Sequence, residues 1–288
     1  MKTIISVALT GAVSPKAKNP NIPCTPKEIA EDAIKCWKAG AAIAHLHMRD
    51  DEFRGTMDKE RFKETVKRIR GESDVVLNLT SSGEINVPFE RRMQHIAEIK
   101  PEIATFDAGS INVLPDGIFD NTASFLTKLG GIMNENNVKP EIEIMDLGMI
   151  AAAEYYVHKG VLKAPLHFQF VLGFFSGAPA TPENLAYLHS KIPQGSTWSA
   201  FGIGPAHMPI LYTAIAMGGH VRVGLEDNLF YAPGKLATNF DLVERAGRVI
   251  REFGNEVATP ADARSILGLR GMQGENIPER AEAVVSSH

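Results

Sequence analysis

Hydrophobic and polar positions along this chain fall into two alternating kinds of pattern. Short apolar, β-branched runs at residues 3–10, 41–48, 74–80, 103–107, 141–146, 166–172, 197–203 and 220–225 read as strands covered on both faces. Between them, apolar residues three and four apart predict helices over 26–39, 58–70, 89–99, 119–136, 149–159, 182–189, 207–217 and 240–253. Thr25-Pro26 ahead of Glu28 marks a helix start, with Thr as cap and Pro at the first helical position. Thr259-Pro260 repeats that signal before a short final helix over 260–267. Strands that alternate with helices build a parallel sheet, and eight such units predict an α/β fold of the (β/α)8, or TIM, barrel class. The rival, a doubly wound open sheet, lacks its phosphate loop. Gly202-Ile203-Gly204 and Gly218-Gly219 form neither G-x-G-x-x-G nor a Walker sequence. No linker or composition shift divides the chain, so residues 1–288 are expected to form one catalytic barrel domain. Residues 271–288 lack an apolar period and are expected to form a C-terminal tail or an arm across a neighbouring subunit. Residues 11–25 make the longest loop, directly after the first strand, a length that is usually functional or disordered.

Composition narrows the function classes. A chain of 288 residues with 44% hydrophobic and 22% charged residues buries a full-sized core. The formal net charge of -4 leaves no basic excess for nucleic acid. Cys24 and Cys36 form no C-x-x-C motif. The start, Met1 to Thr10, is too short and too polar afterwards for a signal peptide, and no apolar run approaches the roughly 18 residues of a membrane span. A cytoplasmic protein with no nucleic-acid or membrane partner is expected.

Polar residues at the carboxyl ends of barrel strands read as catalytic. Here those ends carry Thr10; His45, His47 and Arg49; Asn78, Thr80 and Ser81; Thr105 and Asp107; Glu141, Glu143 and Asp146; Gln169; and Arg222, Glu226 and Asp227. His45 and His47 follow the small, apolar Ala41-Ala42-Ile43-Ala44, and two residues along a strand span about 6.5–7 Å on one face. Two imidazoles so placed can converge on one ion if a carboxylate arrives from elsewhere, and His2Glu with an open position suits catalytic zinc. Two hydrogen-bonded histidines at a strand end would look the same in sequence. Cobalt, manganese or iron would also suit such a set. Whether Glu226 or Asp227 completes it depends on an alternation the spacing leaves open. Arg222, in an apolar strand, demands a carboxylate such as Asp227 or Glu143, or an anionic ligand. Glu141 and Glu143 share a face, and one of them can hold the second ring nitrogen of a liganding histidine. Thr80-Ser81-Ser82-Gly83 can hydrogen-bond a carboxylate or acyl oxygen, or be a plain hydroxyl-rich turn. No G-x-S-x-G frame surrounds Ser81 or Ser82, which argues against a serine hydrolase. Gly173 and Ser176-Gly177 leave room for a bulky ligand, with Phe174 and Phe175 as loop anchors. His95, His158, His167, His189, His207 and His288 have no ligand spacing and read as surface or core residues. His220 begins its strand, at the wrong end for the rim.

At these residues the chain resembles the beta-keto acid cleavage enzymes, of which the 3-keto-5-aminohexanoate cleavage enzyme is the best-known type. The likeness runs from Ala8-Leu9-Thr10-Gly11 to Ala263-Arg264-Ser265-Ile266-Leu267-Gly268-Leu269. It includes Gly40 to His47, Pro140-Glu141-Ile142-Glu143 and Gln169-Phe170-Val171-Leu172-Gly173. Its most specific stretch is Gly218-Gly219-His220-Val221-Arg222-Val223-Gly224-Leu225-Glu226-Asp227-Asn228. The resemblance implies a homotetrameric barrel with one zinc per subunit, taking a small beta-keto acid and acetyl-CoA to acetoacetate and a new acyl-CoA. It implies zinc on His45, His47 and Glu226, and proton abstraction by the Arg222–Asp227 dyad. Glu143 matches the family's acidic position in the fifth strand. Thr80 and Thr105 fall at substrate-contacting hydroxyls, and the glycines from Gly173 lie near the CoA entrance.

Two departures bear on the acyl group. Ala12-Val13-Ser14 stands where the type enzyme has an acidic residue for its substrate's amino group, which points away from an aminated substrate. Gly202-Ile203-Gly204-Pro205 replaces the Gly-Ile-Gly-Arg of many relatives, so Pro205 removes a guanidinium from the substrate or CoA contacts. An uncharged or apolar acyl group follows, unless Met48, Asp50, Asp51 and Glu52 reach the pocket and favour a cation. The rim alone also suits a metal-dependent aldolase, lyase or hydrolase needing no acetyl-CoA, or a non-catalytic small-molecule-binding barrel.

Overall fold

The computed structural model describes residues 1–84 and 86–277. Eight parallel strands close into a barrel: β1 (Ile5–Ala8), β2 (Ile43–Leu46), β3 (Val76–Leu79), β4 (Ile103–Asp107), β5 (Lys139–Ile144), β6 (His167–Leu172), β7 (Thr197–Gly202) and β8 (His220–Val223). Each lies beside its neighbours in sequence, and β8 returns to β1 with Val221 opposite Ile5. All eight overlap the predicted runs, because the barrel buries nearly every residue in them on both faces.

Helices α1 (Pro26–Lys38), α2 (Lys59–Arg70), α3 (Phe89–Ile99), α4 (Ala123–Glu135), α5 (Leu147–His158), α6 (Pro182–His189), α7 (His207–Ala216) and α8 (Asn239–Glu252) connect the strands, and α9 (Pro260–Leu267) follows. The Thr-Pro starts behave as their chemistry demands. Thr25 and Thr259 each accept from the backbone N–H three residues on, while Glu28 and Asp262 bond back to the cap, a reciprocal capping box. α9 lies across the amino-terminal end of the barrel, where Ala263 and Leu267 pack on Ile4, Ile43, Val76 and Ile103. Lys2–Thr3 pairs in parallel with Glu256–Val257 beside it. The base is therefore sealed, and the carboxyl-terminal rim is the open end.

The barrel interior is partly polar. Asn78 donates to Glu141 at 2.6 Å, a contact that skips β4 and so crosses the interior. His167 lies 3.7 Å from Glu141 and bonds Thr197 at 2.9 Å, and Ser199 donates to Gln169 at 2.6 Å. Asn78 and Glu141 thus face each other inside the barrel, and Gln169 is bonded to its register neighbour Ser199 on β7. Asp146 and Arg49 are also structural. Asp146 caps α5, and Arg49 bonds the backbone carbonyls of Thr10, Ser14 and Phe53.

The long loop over 11–25 is ordered by Asn19, whose side chain donates to the carbonyls of Leu229 and Ala237. Residues 271–277 fold back on the same barrel. Glu275 accepts from Arg70 at 2.6 and 2.8 Å, and the Asn276 N–H donates to the Ile99 carbonyl. The rest of the expected tail, 278–288 with His288, lies outside the described residues. No helix among those described is long and apolar enough to cross a membrane.

His220 sits at the base as the sequence places it, with its Nδ1 accepting the Ile4 N–H at 3.2 Å. Burial, reinforced by nearby His167, pushes its pKa down to about 3. A histidine held neutral in the fold and free to protonate when unfolded gives stability that is complete above pH 6.5 and drains as pH falls toward 3. Between pH 8 and pH 5 this costs roughly 2 kcal/mol. His220→Gln is expected to shrink by about that amount the difference in urea-unfolding free energy between the two pH values.

Candidate metal centre and dyad at the barrel rim

The rim is assembled where the last strand meets the first two. His45 lies on β2 and His47 just beyond its end at Leu46, both buried. Beyond β8 the chain turns at Gly224, with φ +144° and so close to β1 that a Cβ would stand 2.0 Å from the Ala8 carbonyl oxygen. The Glu226 N–H then donates to that same carbonyl at 3.2 Å. This turn carries Glu226 to the histidines: its Oε1 lies 3.6 Å from His45 Nε2 and 3.5 Å from His47 Nε2. Among the described residues, these three are the one group whose donor atoms can hold a metal ion, all within 4.8 Å of one another. His45 Nδ1, His47 Nδ1 and Glu226 Oε2 are buried without hydrogen-bond partners, so neither Glu141 nor Glu143 holds a second ring nitrogen.

The turn at Gly224, rather than strand alternation, divides the labour between the two acids. Glu226 faces the histidines, while Asp227 faces Arg222. The Arg222 guanidinium donates to both Asp227 oxygens at 2.9 Å, to Glu226 Oε1 at 2.6 Å and to Glu143 Oε1 at 3.1 Å. Its plane lies 4.4 Å from the Phe201 ring centre. Both partners expected for Arg222 are present, and Glu226 is a third. Burial depresses the basicity of Arg222, but the three carboxylates outweigh it and hold the guanidinium firmly charged.

The carboxylates diverge under the same field. Burial raises Asp227 to about 6 despite its pairing with Arg222. Burial would raise Glu226 as well, but His47, Arg222 and His45 together hold it well below the ordinary carboxylate range. Glu143 is pushed well above that range by burial and by Asp107, its register neighbour on β4. Asp107 was visible at a strand end but had no assigned role. It is buried, and its Oδ2 has no partner.

The hydroxyl turn closes on itself. The Ser81 N–H donates to Thr105 Oγ1 at 2.9 Å, and the Ser82 N–H donates to Thr80 Oγ1 at 3.0 Å. Thr80 and Ser82 hydroxyls lie 3.2 Å apart, and those of Ser81 and Thr105 3.3 Å. Thr80, Ser81, Ser82 and Thr105 are thus one cluster. Gly173 and Pro205 are not brought into it. Gly173 is exposed, with its N–H on the Ala178 carbonyl, and Pro205 is exposed in a short turn whose Gly204 N–H donates to the Asp227 carbonyl at 3.3 Å. The acids after β2 do not turn inward. Asp50 and Glu52 pair with Arg54, Asp51 with Arg61, and Met48 is buried in the core.

Sequence spacing alone missed two residues of α3. Arg92 donates to the Ser81 carbonyl and His95 is bonded to that of Thr80, both at 2.8 Å. The sequence signal was their position on the buried stripe with Met93, Ile96 and Ile99.

Comparison with known proteins places the chain in a family and matches its fold. The sequence profile described as beta-keto acid cleavage enzyme matches residues 2–269. A 3-keto-5-aminohexanoate cleavage enzyme of Fusobacterium nucleatum subsp. nucleatum is 44% identical over 271 residues, covering 93% of this chain and 98% of that one. A 3-dehydrocarnitine:acetyl-CoA trimethylamine transferase of Rhizobium meliloti is 37% identical, with 93% and 97% covered. Among solved structures, apo ObcA shares the fold with a TM-score of 0.77 at 20% identity, over 87% of this chain and 66% of that one. On the profile match over residues 2–269 and the 44% identity, the chain belongs to the beta-keto acid cleavage enzyme family.

Proposed function

We propose that this protein is a zinc-dependent enzyme that exchanges acyl groups between a beta-keto acid and acetyl-CoA, releasing acetoacetate and a new acyl-CoA. The observation that carries this reading is the shared carboxylate: Glu226 Oε1 faces both histidine Nε2 atoms and also receives an Arg222 N–H, so one residue joins a metal-ligand set to a base dyad. The donor set fits zinc. Two imidazole nitrogens and a carboxylate leave a position open, and an ion on the Nε2 atoms would assign the ring protons to the unpartnered Nδ1 atoms. When bound, such an ion supplies the positive charge that favours enolisation of a keto acid.

The chain's own groups do the rest. Asp227, fixed by two Arg222 N–H groups and raised to about 6, is a competent base near neutral pH and takes a proton from C2 of the keto acid. The carbanion attacks the acetyl-CoA carbonyl and the CoA thiolate departs. That thiolate adds to the original ketone, the C2–C3 bond breaks, and the proton on Asp227 returns to the acetoacetate carbanion. Glu143 keeps the guanidinium in place, and the cluster of Thr80, Ser81, Ser82 and Thr105 offers hydroxyls to the substrate carboxylate. The loops with Gly173 and Pro205 flank the CoA entrance. The relative from Rhizobium meliloti names acetyl-CoA as its cosubstrate, which supports the same cosubstrate here. A neutral acyl group is supported by Val13, 73% exposed in the loop after β1, and by the Arg54 and Arg61 partners of the acids after β2. One barrel domain per subunit, one zinc per barrel and a cytoplasmic homotetramer complete the reading.

Zinc-loaded protein incubated with acetyl-CoA and neutral, cationic and anionic beta-keto acids is expected to yield acetoacetate and a new CoA ester from the neutral members, identified by mass. Consumption of keto acid without acetyl-CoA would instead point to a lyase or hydrolase. Gly11 tests the ligand set separately, because a Cβ there would stand 2.6 Å from Glu226 Cγ. Gly11→Ala is expected to weaken zinc binding roughly 10- to 100-fold in chelator competition. Unchanged affinity would remove Glu226 from the set.

A further inference from the structure

Arg92 is a buried cation without an anion. It is 5% exposed on α3, and among the described residues no carboxylate lies within ion-pair distance of it. Its guanidinium donates to three neutral acceptors: Ser81 O at 2.8 Å, Asp120 O at 2.6 Å and Asn121 Oδ1 at 2.6 Å. Its plane lies 4.1 Å from the Phe125 ring centre and 5.7 Å from that of Phe119. Burying a guanidinium is costly and is normally offset by a carboxylate. Burial depresses the basicity of Arg92, with only Asp107 and Asp120 acting against it from a distance. A guanidinium nevertheless stays protonated in proteins. The charge therefore has no ion-pair partner, with Asp107 and Asp120 acting only from a distance, and a poorly solvated charge is felt farther than one in water.

Its position gives that charge a direction. Arg92 and His95 draw the carbonyls of Ser81 and Thr80 toward α3. In a trans peptide the next N–H points the opposite way, and the Ser82 N–H accordingly donates to Thr80 Oγ1. The turn ends against the metal-ligand set, since a Cβ on Gly83 would stand 2.9 Å from His47 Nδ1. Asn121 extends the brace to the segment after β4 through the Gly109 carbonyl at 3.2 Å.

We propose that Arg92 is a positioning residue for anionic substrate: it fixes the Thr80–Gly83 turn and supplies, from behind, the positive charge that attracts the keto-acid carboxylate. This rests on the reading that the site takes a beta-keto acid with acetyl-CoA. Asn121 allows charge and brace to be separated. Asn121→Asp keeps an oxygen against Arg92 Nη2 but cancels its charge, whereas Asn121→Ala leaves the charge and removes one support.

In steady-state assays of zinc-loaded protein, Asn121→Asp is expected to raise KM for the keto acid at least about tenfold. Its kcat, its KM for acetyl-CoA and its zinc content should stay within twofold, and Asn121→Ala should raise the keto-acid KM less. Arg92→Lys, which keeps the charge on a shorter reach, should fall between Asn121→Asp and the unmodified protein. An unchanged keto-acid KM in Asn121→Asp, or an equal effect of Ala and Asp at position 121, would overturn the inference while leaving the acyl exchange standing. Absence of turnover by the unmodified protein would overturn the acyl exchange, and the inference with it.

Discussion

The acids of the rim depend on one guanidinium shared among three carboxylates. Arg222 holds Asp227 with two bonds, Glu226 with one and Glu143 with one, while Phe201 covers its face. Without that cation the three acids would repel one another in a poorly solvated place, and the turn after β8 would lose the tie that orients it. With it, the acids diverge under one field. Glu226 is held well below the ordinary carboxylate range beside the histidines, Asp227 is raised to about 6, and Glu143 is pushed well above that range by burial and Asp107. A lysine would not serve, because a point charge cannot present separate, fixed N–H directions to three partners.

The sequence carried the fold almost completely, for physical reasons specific to this architecture. Strands buried on both faces appear as unbroken apolar runs, and Thr-Pro caps mark helix starts such as those at Pro26 and Pro260. Nearly every local signal therefore agreed with the global fold. At the site, His45 and His47 were legible because a two-residue strand spacing fixes their common face. Glu226 and Asp227 were legible as a pair. Their separate directions were not, because the strand's alternation ends at Gly224.

What spacing alone missed has a common cause. Asn78, Glu141 and Gln169 sit near strand ends like the rim residues, yet Asn78 meets Glu141 across β4 and Gln169 meets Ser199 on the next strand, and no local pattern along one strand shows a partner on another. Arg92 was hidden in Glu90-Arg91-Arg92, which reads as a solvated helix face. One arginine of the two does pair at the surface, Arg91 with Glu84. The other points inward and carries its charge into the protein. His95 likewise looked like an ordinary core histidine, and it is one, but it is bonded to a backbone carbonyl of the hydroxyl turn.

The pairing of β8 with β1 has a kinetic side. His45 is placed early in the chain, but Glu226, Asp227 and Arg222 reach it only after the final strand has docked against the first, more than two hundred residues away. Such distant pairings form late, because the loop-closure entropy of the intervening chain must be overcome first. A partly folded barrel therefore holds histidines and acids that have never met. Catalytic competence in this protein is then a property of the closed circle and of no arc of it.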